Sequence, residues 1–262
     1  MKIIVCVKQV PDTNEIRIDP VTGTLIRDGV PSILNPDDKN ALEEALVLKD
    51  KNPESHVTVV TMGPPQAKEV LLECLAMGAD RAILVSDKAF AGADTWATSE
   101  TLAGTIKKLN GFDIVFCGRQ AIDGDTAQVG PQIAERLNVP QVTYVESLVE
   151  LGNDLIVKRK LEDGYEMIKL AKPALLTAIK ELNEPRYPSV AGIVSACSEK
   201  EIEVWSVNDI DVDLTQIGLK GSPTKVKKSF TPEVKGKGVM LKGTPQEVSE
   251  QLVGNLKSKH LI

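Results

Sequence analysis

Four short, β-rich apolar runs mark the first half of the chain: KIIVCV at 2–7, HVTVVTM at 56–62, RAILVS at 81–86 and DIVFCG at 113–118. Between them, apolar residues return with helical spacing over 37–51, 65–77 and 94–109. Strand-like and helix-like segments in alternation predict a parallel sheet covered by helices. The boundaries carry their own chemistry: Asn35 stands as N-cap before Pro36 at the first helical position, and Gly78 follows the end of the second helix. Asp125-Thr-Ala-Gln128 places a capping oxygen three residues before a glutamine, which predicts a fourth helix from 125 or 126.

After about residue 140 the rhythm changes. QVTYVESLVEL, DLIVKRKLED and YEMIKLAK are β-rich runs separated by Gly152-Asn153 and Gly164, the pattern of an antiparallel meander joined to the parallel sheet. PALLTAI at 173–179 predicts one more buried strand, 183–188 an exposed loop, and 189–198 a short helix. From 206 onward Gly and Lys become frequent, Pro223 and Pro232 interrupt, and only 245–257 regains helical spacing. So long a stretch without regular structure sits poorly inside a compact domain and is expected to be an arm that wraps a partner.

Composition narrows the function classes. The chain has 262 residues, 31 Lys and Arg against 37 Asp and Glu for a net charge of −6, with 42% hydrophobic and 3% aromatic residues, as in an ordinary soluble globular protein. Mild acidity and few aromatics argue against nucleic-acid binding. The one basic cluster, between Lys220 and Lys237, reads as a solvated or partner-covering tail. The N-terminal apolar run breaks at Lys8 and Pro11, too short for a leader or a membrane span, so no membrane insertion and a cytoplasmic location are expected. Cys6, Cys74, Cys117 and Cys197 are scattered without a CxxC pair, and His56 and His260 are the two histidines, which leaves little for metal or triad chemistry.

In open parallel sheets, ligands bind beyond the carboxyl ends of the strands where strand order reverses. The loop after 118 is the most unusual candidate, running GRQAIDGDTAQVG from a strand end into a helix start. Gly118 and Gly124 permit close backbone approach, the helix start offers free N–H groups, and Arg119 and Thr126 add a positive charge and a hydroxyl, a set suited to phosphate. The loop is neither GxGxxG nor a Walker A sequence, so phosphoryl transfer has no support. On pattern alone, nucleotide binding and ordinary turn-and-cap chemistry stand level. Lys8 to Asp12, Asn35 to Asp38 and Met62-Gly63 could floor an adenine pocket or be plain turns. Cys6 and Cys117 lie in runs expected to be buried, where they serve as small apolar residues.

The chain resembles the β subunit of electron transfer flavoproteins over nearly its whole length. The resemblance is carried by VKRKLEDGYEMI at 157–168 with PALLT at 173–177, and by VKQVPD, NPDDKNALEEAL, LAMGADRAI and LNEPRYPSV in the same order. It implies a Rossmann-like nucleotide- or FAD-binding domain over 1–205 and an arm over 206–262 around an α subunit that carries an FAD. It implies an adenine-nucleotide pocket at Cys6, Asn35 to Asp38, Met62 and the loop Gly118, Arg119, Gln120, Ala121, Ile122, Asp123, Gly124, Asp125, Thr126, Ala127, Gln128 and Val129. Within that loop Arg119 is expected to offset phosphate charge, and Asp123 to accept from a ribose or a backbone donor. A recognition loop that docks electron-exchange partners corresponds to Asn183, Glu184, Pro185, Arg186, Tyr187 and Val190, with valine where a larger leucine is familiar.

Of the family's two branches, one holds AMP in this pocket and shuttles electrons from acyl-CoA dehydrogenases. The other holds a second FAD, oxidises NADH, and splits the electron pair between ferredoxin or flavodoxin and an acyl-CoA-type dehydrogenase. Gly124, where the AMP branch often carries another carboxylate, makes the chain similar to the two-FAD branch, since a missing charge leaves room and less repulsion for a diphosphate. No side chain is expected to act as acid, base or nucleophile, because the cofactor carries the redox chemistry. A third reading from another class is a nucleotide-binding stress or signalling module.

Overall fold

The computed structural model describes residues 1–12, 31–227, 236 and 238–262. Their strands are β1 (Lys2–Cys6), β2 (Gln9–Pro11), β3 (Ser32–Leu34), β4 (His56–Met62), β5 (Arg81–Val85), β6 (Ile114–Gly118), β7 (Gln141–Leu151), β8 (Asp154–Lys160), β9 (Tyr165–Ala171), β10 (Ala174–Ala178) and β11 (Ile202–Trp205). One sheet carries them in the order β11-β5-β4-β1-β6-β10-β7-β8-β9, while β2 and β3 form a separate antiparallel ribbon. From β11 to β7 every pairing is parallel, and β8 and β9 extend the sheet as the antiparallel meander. The fold is the α/β, mostly parallel sheet that the alternating pattern predicts.

The apolar runs are continuous because both faces of the parallel strands are covered. Ile3 and Val5 point to the face carrying α1 (Pro36–Lys51) and α2 (Lys68–Met77), with Leu42, Leu46, Leu71 and Leu75 in the same core. Ile4 and Cys6 point to the opposite face, against Leu102 and Ile106 of α3 (Thr95–Lys108) and Ile133 of α4 (Val129–Leu137). Each fully buried side chain of this size contributes about 2 kcal/mol of burial free energy. On the α2 side, α5 (Val190–Ser198) buries Ala196 in the first core.

Three expectations are corrected. The fourth helix begins at Val129, not at 125 or 126, because Asp125 and Ala127 adopt φ of 55° and 52°, which no right-handed helix admits. Asn35 occupies the N-cap of α1 but its side chain makes no cap bond. Residues 202–205 form the edge strand β11 beside β5, a strand the apolar pattern did not announce.

The described chain divides into two compact units, Met1–Val226 and Lys227–Ile262. Residues 206–226, expected to belong to the arm, thus fall in the first unit. Ile210 and Ile217 are buried in the α3-side core, and Val212 crosses α3 so closely that a Cβ on Gly104 would lie 2.4 Å from it. The short helix α6 (Gly218–Gly221) follows, and Ser222 Oγ accepts from Asp94 N at 2.8 Å. In the second unit, α7 (Pro245–Ser258) starts at a capping box of Thr244 and Glu247 and has no buried residue. Lys228, Lys235 and Lys237 of the basic cluster lie outside the described residues. Among those residues no helix is long and apolar enough to cross a membrane.

Candidate functional site

Strand order fixes where the site lies. The chain runs outward from β1 through β4 to β5, then returns by α3 to place β6 on the other side of β1. The reversal falls between β1 and β6, where Cys6 and Cys117 are register partners and the two following loops diverge.

The first turn of α1 fills the gap between those loops. Asp38 Oδ2 accepts from Lys8 N at 2.8 Å and Oδ1 from Gly118 N at 2.9 Å, so one carboxylate ties the ends of β1 and β6 together. Burial pushes its pKa up to about 7, although hydrogen bonds from Asn35, Lys8 and Gly118 pull it back. Gly118 is glycine because α1 lies on it: an added Cβ would sit 2.3 Å from Asp38 Oδ1 and 2.7 Å from backbone atoms of Asp37 and Asp38.

Asn35 uses its side chain across the gap. Its Nδ2 donates to Gln120 O at 2.9 Å and its Oδ1 accepts from Ile122 N at 3.1 Å, which clamps the outgoing loop from both sides of one amide. Lys8 Nζ reaches the same loop and donates to both Asp123 oxygens, at 2.6 and 2.9 Å. Asp123 was expected to face a ribose or a backbone donor; its side chain, 7% exposed, is held instead by this lysine. Arg119 donates from its backbone N to Ala178 O at 2.8 Å, and its Nε lies 3.3 Å from Asp37 Oδ2. Burial raises the Asp37 pKa and the Arg119 guanidinium opposes the rise. Arg119 therefore has a carboxylate partner already, which tempers its capacity to offset phosphate charge.

Beyond Asp123 the loop is open. Gln120 Nε2 donates to Asp125 Oδ1, Gln128 Oε1 accepts from Thr95 Oγ1 at 2.9 Å, and an added Cβ on Gly124 would meet nothing within 4 Å. Among the described residues, the backbone N–H groups of Thr126, Ala127 and Gln128 have no protein acceptor. They follow directly on the left-handed Asp125 and lead into the first turn of α4. Unpaired N–H groups beside left-handed residues at a helix start suit an anionic oxygen cluster, so these residues fit a phosphate-bearing nucleotide. Strained φ values at non-glycine positions gather where a binding site has to hold a shape.

Cys6 and Met62 sit at the same edge, on the α3 and α4 face, with Cys6 beside its register partner Cys117. The adjacent Cys6 thiol and burial hold the Cys117 thiol well above its ordinary pKa, which keeps that thiol unreactive. The structure thus brings Cys6, Asn35, Asp38, Met62 and the Gly118–Val129 loop to one edge of the sheet. The 183–190 segment lies elsewhere, against α1: Asn183 and Arg186 bond to that helix, while Tyr187 and Val190 are 91% and 80% exposed. Sequence reasoning did not single out Asn40, Glu43, Glu44 or Asp50 as partners of that segment. Polar residues on a helix read as a solvated face unless the contact across more than a hundred residues is known.

A mostly parallel sheet with this loop at its reversal point defines an α/β protein of the doubly wound class, with its candidate site at the reversal. The family model described as the electron transfer flavoprotein domain matches residues 22–210. Over the full length of both chains, the sequence is 63% identical to the electron transfer flavoprotein subunit beta of Clostridium acetobutylicum and 61% identical to the caffeyl-CoA reductase-Etf complex subunit CarD of Acetobacterium woodii. It is 50% identical, again over 100% of each chain, to the acryloyl-CoA reductase electron transfer subunit gamma of Anaerotignum propionicum. The chain belongs to the electron transfer flavoprotein family, among its β subunits.

Proposed function

We propose that this chain is the nucleotide-binding half of an αβ electron transfer flavoprotein in which the Gly118–Val129 loop holds the diphosphate of an FAD. In this reading the complex takes hydride from NADH and divides the electron pair between a ferredoxin or flavodoxin and an acyl-CoA-type dehydrogenase. The observation that carries it is the row of unpaired N–H groups at Thr126, Ala127 and Gln128, next to open space at Gly124. A bulky, doubly charged linker needs both features. Two relatives, one a subunit of a caffeyl-CoA reductase complex and one of an acryloyl-CoA reductase, support the choice of dehydrogenase class. Bound FAD supplies the redox chemistry. The protein's part is to bind and orient: Asn35 and Lys8 hold the loop in shape, Asp38 joins the two strand ends, and the Thr126–Gln128 amides receive phosphate oxygens.

The 183–190 segment is the proposed dehydrogenase-docking loop, and Lys227–Ile262 the part of the arm that reaches the α subunit. The absence of any buried residue in α7, whose Val248, Leu252 and Leu256 recur at four-residue spacing, supports a covering partner for that helix. The test is anaerobic titration of the purified αβ complex with NADH, followed by flavin absorbance. Bleaching by NADH without any dehydrogenase present is expected. Bleaching by dithionite alone would mean a simple carrier with AMP in this pocket.

Arg119→Ala isolates the pocket from the rest of the complex. Loss of the guanidinium leaves the half-buried Asp37 carboxylate unpaired beside the loop root, so this subunit is expected to lose most of its nucleotide while the α-subunit flavin stays at one per complex. Equal loss of both, or of neither, contradicts that role. Extracted nucleotide per complex is the measurement.

A further inference from the structure

The segment 183–190 is an irregular loop, yet it is held like a piece of regular structure. Asn40 Nδ2 donates to Asn183 O at 2.8 Å, and Asn183 Nδ2 returns bonds to Asn40 O and Glu44 Oε2, each at 3.1 Å. Three residues on, Arg186 is gripped by main chain and side chain together. Its backbone N donates to Glu43 Oε2 at 3.0 Å, its Nε to both Glu43 oxygens at 3.0 and 3.1 Å, and its Nη2 to Glu43 Oε1 at 3.0 Å and Asp50 Oδ2 at 2.7 Å. The Glu43 side chain is only 7% exposed and Arg186 33%, so this is a forked pair whose Glu43 end is desolvated. The carboxylates of Glu43 and Asp50 hold the Arg186 pKa far above its ordinary value.

The far end of the segment is fixed as well. Ser189 Oγ caps α5 by accepting from Gly192 N at 2.9 Å, and α5 packs so closely on α2 that a Cβ on Gly192 would lie 2.2 Å from Ala76 O. Between these anchors Tyr187 and Val190 stand 91% and 80% exposed, and Val194, further along α5, 58%. Large apolar side chains held rigidly in water gain nothing from packing inside this chain. Rigid presentation lowers the ordering entropy that a docking partner would otherwise have to overcome.

We propose that Glu43 is a positioning residue for partner docking: by gripping Arg186 it fixes the conformation in which Tyr187 and Val190 are presented to the acyl-CoA-type dehydrogenase. The inference rests on the reading of 183–190 as the docking loop and adds to it a residue on α1, outside that loop. Glu43 does not take part in electron transfer itself.

The test uses the complete αβ complex and a purified short-chain acyl-CoA dehydrogenase, chosen as one the wild-type complex reduces. Glu43→Gln keeps the shape and removes the charge; Arg186→Lys keeps the charge and removes the fork. Freeing one or two side chains that docking must then re-order is expected to raise the KM for the dehydrogenase about tenfold in Glu43→Gln. Arg186→Lys should raise it by a smaller factor. The kcat at saturating dehydrogenase, the dithionite reduction rate and the nucleotide content stay at wild-type values, while backbone hydrogen exchange at 183–190 quickens. Faster exchange with an unchanged KM would overturn the proposal, leaving the grip a purely structural device. Tyr187→Ala and Val190→Ala separate the two layers: if they raise KM and Glu43→Gln does not, positioning by Glu43 fails alone. If none of the variants changes KM, the docking reading fails with it. Should Glu43→Gln not assemble, Glu43→Asp, which keeps the charge but draws the carboxylate back from Arg186 and leaves the docking loop's own residues untouched, carries the same decision.

Discussion

Gly118→Ala is expected to lower the melting temperature by roughly 6–12 °C, from about 3 kcal/mol of overpacking at 2–4 °C per kcal/mol. The new Cβ would lie 2.3 Å from Asp38 Oδ1 and 2.7 Å from both the Asp37 carbonyl carbon and the Asp38 nitrogen. Two of those three atoms are backbone, so no rotamer change relieves the contact. Relief requires the first turn of α1 to move off β6, and with it go the Asp38 bonds to Lys8 N and Gly118 N and the Asn35 clamp on the loop. Nucleotide retention should fall in parallel. Gly124→Ala is the matched control, because its Cβ meets nothing within 4 Å and its stability should stay within about 0.5 kcal/mol of wild type. Thermal unfolding of the two variants side by side checks the pair, and a Gly118→Ala melt within 2 °C of wild type, by the same roughly 2–4 °C per kcal/mol, would contradict the packing argument.

Asp38 gives the second large effect, through pH. Its pKa is about 7 in the folded chain against 3.8 for the free group, with burial the main cause and the neighbouring Asp37 charge a lesser one in the same direction. Between these values the folded chain holds a proton that the unfolded chain has released, so this group's stabilising contribution is present at low pH and is lost as pH rises through 7. From pH 5 to pH 8 the change is about 3 kcal/mol, at roughly 1.4 kcal/mol per unit. Asparagine has no proton to release, so Asp38→Asn removes that slope. Its amide nitrogen would also face one of two N–H donors, which costs about 1–3 kcal/mol at every pH. Urea unfolding of wild type and variant at pH 5 and pH 8 is expected to show their difference moving by about 3 kcal/mol toward the variant as pH rises. A difference independent of pH would contradict the assignment.

What could be read from the sequence was what local chemistry determines. Alternating periods placed the sheet and its helices, and the glycine-bearing loop at a strand end marked the candidate site. Most of the failures share one physical character: the deciding contact is distant in sequence. Asp125 and Gln128 look like a helix start, but Asp125 and Ala127 turn left-handed, and the side chains of Asp125 and Gln128 bond to Gln120 and Thr95. Asn35 looks like a cap, yet its amide is spent on a loop 85 to 87 residues away. Asp123 meets Lys8 across 115 positions, and no spacing rule joins them. The IEVW strand at 202–205 is too short and too charged to announce itself, and 206–226 has a sparse apolar pattern because only Ile210 and Ile217 need to be buried.

The most direct measurement of the central claim is the nucleotide content of the purified αβ complex, released by mild denaturation and quantified as FAD and AMP per heterodimer. A loop with three unpaired amides and open space at Gly124 is expected to carry a dinucleotide. The account predicts two FAD per complex and negligible AMP. One FAD with one AMP would contradict it and leave the chain the AMP-binding subunit of a non-bifurcating carrier.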